Sequence, residues 1–271
     1  MLKLTASLLH LRQNFALVVA LFACGVASSP GAAEPSPAAT TPRPTSSPTP
    51  ATAQGPVEPA TVGNGPDSIA TRLHSPKNAG ANASDAAAQF YCDISAQGDV
   101  ENTYRVVAKQ DEFREAVQSA LDWGHFKPAR LNGRPVAAYV AGTILFLHRD
   151  GQPVIVVSLA TQDRERVGKL ANYIQPQLIE GLRRRLEIAR AALPYSLVVV
   201  GSAEVVVKVS DTGALLSTAL MAENPKGTGL GTLVESALKG AQFTPAYLDG
   251  KAVPGEINVV ATFSDAPADA E

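Results

Sequence analysis

The chain has little of what a disulfide framework, a metal centre or a strongly charged surface requires. Among its 271 residues there are only two cysteines, Cys24 and Cys92, and four histidines. Lys plus Arg number 23 against 25 Asp plus Glu, a formal net charge of −2. So balanced a charge gives no reason to expect nucleic acid or an anionic membrane surface as a partner. Two cysteines also make a fold held by internal disulfides unexpected.

The signatures of common enzyme classes are missing as well. The chain has no Gly-x-Ser-x-Gly, no His-Glu-x-x-His and no cluster of cysteine and histidine. Cys92 lies within a strand pattern, which favours a small core residue over a thiol nucleophile. The glycine-rich run 227–231 lacks the remaining residues of a phosphate-binding loop, so it is interpreted as a flexible start to a helix. We therefore expect no enzymatic activity, no cofactor and no metal.

No apolar run reaches the usual length of a membrane span. The strongest one, Phe15–Ala27, has about thirteen residues and follows Lys3 and Arg12, whereas a spanning helix needs about 17–25. The pattern over residues 1–27 is typical of an export signal. Three outcomes stay open: cleavage after small residues, retention as an inner-membrane anchor, and lipidation at Cys24. Each of the three places the mature chain in the periplasm.

The segment 28–87 is rich in proline, alanine, serine and threonine and has almost no aromatic residue. Such a composition buries too little apolar surface to offset the entropy of ordering, which predicts a disordered linker. Proline-rich chain extends about 3.1 Å per residue, so thirty residues would reach roughly 90 Å. The linker would either carry a domain away from a membrane or act as a solubilising spacer.

What the chain does contain is an internal repetition. The segments HFKPARLNGRPV, residues 125–136, and QFTPAYLDGKAV, residues 242–253, are identical at six of twelve positions. A helical pattern precedes each segment at the same spacing, with Leu121 matched by Leu238. A hairpin pattern precedes each helix and a long strand pattern follows each segment. Because residues and element order both recur, the sequence predicts two copies of one structural unit.

Each unit is predicted as β-hairpin, helix, turn and β-strand, with Asp111 as the N-cap of the first helix. In the turn, an aromatic residue enters the core, proline stops the helix, and Asn-Gly or Asp-Gly supplies the positive φ that redirects the chain. The fold class is α+β, with two tandem small antiparallel sheets, each with a helix on one face. The predicted structural turn residues are Phe126, Pro128, Gly133, Phe243, Pro245 and Gly250.

The predicted boundaries place the first domain at 88–161, a connector at 162–194, the second domain at 195–264 and a tail at 265–271. The sequence of the connector predicts a helix on each side of Pro176. Its arginine run, Arg183 to Arg185, is interpreted as a solvated helix face, with contact to acidic lipid or cell-wall polymer as the alternative.

Two copies of this pattern resemble the C-terminal domain of TonB proteins. Val205 to Phe263 corresponds to the family's two-stranded hairpin, helix and Phe-x-Pro-Ala signature, and Trp123 with Phe126 matches its Trp-x-x-Phe spacing. The resemblance covers roughly 130 of 271 residues. The chain departs from the family in its short proline-rich arm, in the reversed order of Pro194-Tyr195, and in carrying two such units.

The resemblance implies a role in the cell envelope. TonB carries energy from an inner-membrane motor to outer-membrane receptors, and its C-terminal domain captures a receptor peptide as an added strand. We expect a TonB-like periplasmic protein-binding module, with energy transduction to transport receptors as one version. The alternative is a structural or scaffolding envelope protein without that role. The partner would be an outer-membrane receptor or another envelope protein, with self-association also open and with membrane contact only through the N-terminal segment.

Strand addition requires a free sheet edge, and the closing strand of each unit is the expected one. The alternative is that the two units pair edge to edge and close the sheet. The predicted partner-binding residues are Ile257, Val259, Ala261 and Phe263 in the second unit and Val140, Ile144 and Phe146 in the first.

Overall fold

The computed structural model describes residues 56–76, 85–150, 152–161, 172–192 and 200–263. The predicted signal or anchor, the candidate lipidation site Cys24 and the tail at 265–271 lie outside these residues. None of the helices in the described ranges combines the length and the apolarity that crossing a membrane requires.

The protein is α+β, with mostly antiparallel sheets and few helices. The elements of the first half, in chain order, are β1 (Val57–Glu58), α1 (Ile69–Arg72), β2 (Ala86–Ile94), β3 (Val100–Ala108), α2 (Asp111–Trp123), β4 (Ala129–Leu131), β5 (Arg134–Val136), β6 (Ala138–Arg149) and β7 (Gln152–Ser158). The elements of the second half are β8 (Tyr173–Ile174), β9 (Leu178–Ile179), α3 (Leu182–Ala191), β10 (Gly201–Val209), β11 (Leu215–Asn224), α4 (Leu230–Leu238), β12 (Ala246–Leu248), β13 (Lys251–Val253) and β14 (Gly255–Phe263).

Two larger sheets carry the architecture. In the first, the strands are ordered β3-β2-β6-β7, and β9 also pairs with β6. In the second, the order is β11-β10-β14. Two small sheets, β1-β4-β5 and β13-β12-β8, are built on the repeated turn segments. The predicted hairpins β2–β3 and β10–β11 and the predicted closing strands β6 and β14 are therefore confirmed.

Alternation along the strands explains where the first core lies. Most even-numbered residues of β2 and β6, such as Phe90 and Val140, are fully buried in a cluster with helix α2. The helix contributes Phe113, Val117 and Leu121, spaced so that they share one face. This cluster is a sheet packed on a helix, as the sequence predicts.

The second core is also a sheet packed on a helix, but it includes residues of the first sheet as well. Val205 and Val207 of β10 and Val259 of β14 pack against α4. The same cluster takes in Tyr91 and Tyr139, which lie on the odd-numbered face of the first sheet. The face of the first sheet opposite α2 is therefore covered by the second half of the chain, and this second cluster is shared by both halves.

The repeated turns have the predicted geometry. Phe126 and Phe243 are fully buried. The residues Asn132 and Asp249 have φ of 54° and 50°, and the glycines that follow them also have positive φ. Each turn links a pair of short strands, β4–β5 and β12–β13, as Asn-Gly and Asp-Gly hairpins do.

Part of the predicted linker is ordered, so the expectation of disorder over 28–87 is wrong for residues 56–76. Ala60, Ile69 and Leu73 are buried in the core beneath α2. The strand β1 pairs with β4, and Thr61 exchanges two backbone hydrogen bonds with Lys127. The composition of the segment is that of a linker, but its few apolar residues find a core that only the folded chain provides.

The connector also differs from its prediction. Tyr173 and Ile174, expected within a helix, form β8 and pair with β12. The next helix begins at Leu182 rather than near Gln177, because Leu178 and Ile179 pair with β6 first. The remainder of the first predicted connector helix lies outside the described residues. Asp111 is the first residue of α2 rather than its cap, since the N-cap is Gln110 and makes no side-chain capping bond.

Candidate binding edge

The closing strand of the first unit has no free edge, which corrects the expected binding role of Val140, Ile144 and Phe146. Strand β6 pairs with β2 along residues 138–146 and with β7 along residues 143–149. Its remaining outer positions are taken by β9 and by the Gln175 side chain, whose Nε2 donates to the Ala141 carbonyl at 3.1 Å. The chain thus adds its own strand β7 where an incoming peptide was expected.

The closing strand of the second unit is an edge strand, but a tyrosine occupies the middle of its outer side. The hydroxyl of Tyr139 donates to the Asn258 carbonyl at 3.1 Å and accepts from the Val260 N–H at 2.8 Å. One hydroxyl therefore satisfies two backbone groups, as one residue of an added strand would. Further along, Thr262 Oγ1 donates to the Tyr104 carbonyl at 2.8 Å. The outer side of β14 thus faces the first unit where Ile257, Val259, Ala261 and Phe263 were expected to face a partner.

A buried polar network joins the first sheet to helix α3. Both carboxylate oxygens of Asp93 accept backbone N–H groups at the start of α3, from Leu182 and from Arg183, each at 2.8 Å. The Tyr104 hydroxyl donates to the same carboxylate at 2.8 Å. Burial raises the pKa of Asp93 and of Tyr104, while the backbone hydrogen bonds counter the shift at Asp93. An acid on the first sheet thus caps a helix of the second half.

Strand β11 is the edge that remains open. It pairs with β10, and no other described strand pairs with it. Three of its large apolar side chains are exposed, Leu216 at 62%, Leu220 at 46% and Met221 at 63%. The ten residues Gly213–Ala222 contain no charged side chain. An apolar edge of this length is a template for pairing with another strand.

The other edge strands carry features that discourage such pairing. Strand β3 includes Glu101 and Arg105, and the Arg105 guanidinium is paired with Glu204 at 2.9 Å. Strand β7 carries Pro153, which has no N–H to donate. Natural sheets use charges and proline in this way to protect their edges. Residues Leu215–Ala222 of β11 have neither, and the charged residue of this strand, Glu223, lies near its end.

The direction of the backbone groups along β11 follows from the Tyr139 contact. Since the Asn258 carbonyl and the Val260 N–H point away from β10, their cross-strand partners Glu204 and Val206 direct their backbone groups toward β11. Ala219 is paired with Val206 and points inward. Thr218 and Leu220 consequently point their N–H and C=O groups outward.

The glycine-rich run before α4 is held by the protein's own carboxylate. Glu223 accepts from the Gly227 N–H at 2.9 Å and from the Gly231 N–H at 3.1 Å, and the Thr228 hydroxyl donates to it at 3.1 Å. These bonds, led by the one from Gly231, lower the pKa of Glu223. An anion already sits at this helix start, so the run is neither a phosphate site nor the loose segment expected.

The remaining residues singled out from the sequence have structural environments. Cys92 is fully buried, and burial raises the pKa of its thiol. His125 lies at the surface with Nδ1 3.1 Å from Asp99 Oδ1. Arg183 pairs with Glu187 on the solvent side, but Arg185 turns inward and donates to the carbonyls of Ala237 and Lys239 at the end of α4. The arginine run is therefore only partly a solvated face.

The surface grooves of the described ranges show no clear catalytic or metal-binding arrangement. One groove at the start of α3 mixes Glu101, Glu180 and Glu187 with Arg183 and Arg184. In these ranges, no three His, Cys, Asp or Glu side chains are grouped so that they could hold a metal ion. The open edge of β11 is consequently the feature best suited to a binding function.

No protein-family model, curated protein or solved structure matches this chain.

Proposed function

We propose that this chain is a TonB-like protein-binding module of the cell envelope, which takes up an extended partner segment as an added strand at β11. The observation that carries the proposal is the open edge of β11, with its outward backbone groups and its exposed Leu216 and Met221. Backbone pairing would supply affinity, and the apolar side chains would supply selectivity. No catalytic role is proposed for any residue.

The two halves support a duplicated TonB-like unit. Each contains hairpin, helix, short hairpin and closing strand in the same order. The strands ahead of the units match too, because β1 pairs with Arg130 and Leu131 while β8 pairs with the equivalent residues Tyr247 and Leu248. The unit we propose is thus longer than its hairpin and closing strand, and it includes the strand that precedes them. An N-terminal export segment and a proline-rich arm would place it in the periplasm.

A scaffolding role is the second candidate, and the occupied closing strands favour it. The receptor-energising version requires a peptide to reach β6 or β14. Strand β7 pairs with the outer side of β6, and the Tyr139 hydroxyl is hydrogen-bonded to the outer side of β14. A partner bound at β11 would instead pair with the second strand of the β10–β11 hairpin. Such pairing is compatible with a scaffolding protein as well as with a receptor-binding one.

Photo-crosslinking in cells that express the chain tests the proposed edge. Met221 is replaced by p-benzoylphenylalanine, since its side chain is 63% exposed and its replacement should not disturb folding. We expect a discrete adduct after irradiation, because a strand paired with β11 places partner atoms against this side chain. Mass spectrometry of the adduct identifies the partner.

The matched control carries the same photo-crosslinking residue at Val154. This residue is exposed on β7, which is an edge strand of the first sheet. An adduct at position 221 with none at 154 supports the proposal. No adduct at position 221, with expression equal to that of the control, would exclude β11 as the binding edge.

A further inference from the structure

We propose that the occupant of β11 is the β11 strand of a second copy of this chain, paired antiparallel about a two-fold axis at Thr218. The inference rests on the proposed function, because it names the partner of the same edge. Two copies would join their three-stranded sheets into one six-stranded sheet. The contact is isologous, so a single surface serves both subunits and the assembly closes at two.

The composition of the strand makes it compatible with itself. In an antiparallel pair, every side chain of one copy lies opposite a side chain of the same segment. Because Gly213–Ala222 carries no charged residue, no register of this segment on itself sets like charges opposite each other. A strand from a different protein would need apolar side chains to match those of β11. The β11 strand of a second copy has them.

The backbone directions select the register. Thr218 points its N–H and C=O outward, so two copies centred there exchange both hydrogen bonds directly across the axis. In that register Leu216 of one copy lies opposite Leu220 of the other, on each side of the axis. These two leucines are 62% and 46% exposed in the single chain. Pairing therefore covers exposed apolar side chains while it satisfies the outward backbone groups.

The size of the contact sets its strength. A strand of ten residues is about 33 Å long, and such a ribbon is small beside standard interfaces. Contacts of this class form weak or transient complexes. We expect a dimer that forms at protein concentrations on the order of 10–100 µM in free solution. Tethering to one membrane would raise the local concentration and favour the same pairing.

Cysteine crosslinking reads out both the partner and the register. The Thr218→Cys variant is made in the full-length chain with Cys24→Ser, while Cys92 stays because it is fully buried. Opposed residues of a hydrogen-bonded pair lie about 5.5 Å apart at Cα, within the range that a disulfide spans. We expect mild oxidation to give a disulfide-linked dimer. A mixture of the Leu216→Cys and Leu220→Cys chains should crosslink at least five-fold faster than either chain alone.

The control for collision is Val107→Cys on β3, another edge strand with an exposed apolar residue. It should form at least ten-fold less dimer. Sedimentation equilibrium gives a second measure, in which Leu216→Lys should weaken association at least ten-fold and Val107→Lys should leave it unchanged. Equal crosslinking at positions 107 and 218, or a monomer at several hundred micromolar, would overturn the inference.

The inference and the proposed function fail separately. If photo-crosslinking at Met221 captures a different protein and Thr218→Cys forms no dimer, the self-pairing is wrong and the binding edge stands. If position 221 captures nothing and Thr218→Cys forms no dimer, both are wrong. A captured mass equal to a second copy of the chain supports both.

Discussion

Replacing Gly213 by alanine is expected to destabilise the protein by about 3–5 kcal/mol. Gly213 has φ of +84°, a conformation that alanine adopts only with strain. An added Cβ would also collide with the carbonyl oxygen of Phe243, a backbone atom in the core that cannot turn aside. Thermal unfolding should show a fall in melting temperature of roughly 10 °C or more.

Gly250→Ala is the matched control. Its φ is +76°, but nothing lies within 4 Å of the position where a Cβ would be. The backbone strain is therefore retained without the collision, and we expect a cost of about 1 kcal/mol. Equal losses for the two variants would show that Gly213 matters only for its φ, and that the tight contact between hairpin and repeated turn is wrong.

Tyr139→Phe is expected to cost about 2–4 kcal/mol, since it removes a single oxygen that serves two backbone groups. Tyr139 is fully buried, so the Val260 N–H and the Asn258 carbonyl lose their partner where no solvent reaches the tyrosine side chain. The shape of the core is unchanged, so packing cannot account for the loss. Urea unfolding measures the effect as a lower midpoint with an unchanged slope.

Tyr91→Phe provides the comparison. Its ring is buried in the same cluster, but among the described residues its hydroxyl has a single, long hydrogen bond, 3.4 Å to Gln89 Oε1. We expect less than about 1 kcal/mol for this change. If Tyr139→Phe costs no more than Tyr91→Phe, the hydroxyl does not close the outer side of β14.

Local chemistry made the hairpins, helices and repeated turn segments predictable. The burial of Phe243 and the positive φ of Asp249 and Gly250 follow from residues within one short segment. The hairpins and helices follow from periodicity over ten or so residues, which is why β2, β3, α2 and their counterparts lie where the sequence places them. Such features need no knowledge of what packs against them.

The ordered part of the predicted linker could not be found in this way. Ala60 is held by Gln177, whose side chain exchanges two hydrogen bonds with the Ala60 backbone across 117 residues of sequence. The same holds for β8 and β9, which become strands because partner strands lie beside them. Composition predicts how an isolated segment behaves, whereas the structure of these segments depends on contacts with residues distant in the sequence.

The open edge at β11 was not predicted from the sequence, for a related reason. Which strand stays open depends on β7 adding to β6 and on Tyr139 reaching β14, and no local pattern encodes either contact. The sequence nevertheless contains a signal for an unprotected edge at β11. Residues Leu215–Ala222 of β11 include no charge and no proline, whereas β3 carries charges and β7 carries proline.

Residue-resolved hydrogen exchange of the full-length chain, in dilute solution where it is monomeric, tests most directly which edge is open. The Val260 amide donates to a buried hydroxyl, whereas the Thr218 amide points outward from an edge that no described strand pairs with. We expect the Val260 amide to exchange slowly and the Thr218 amide to exchange quickly. A fast Val260 amide together with a slow Thr218 amide would mean that β14 is the open edge and that β11 is not.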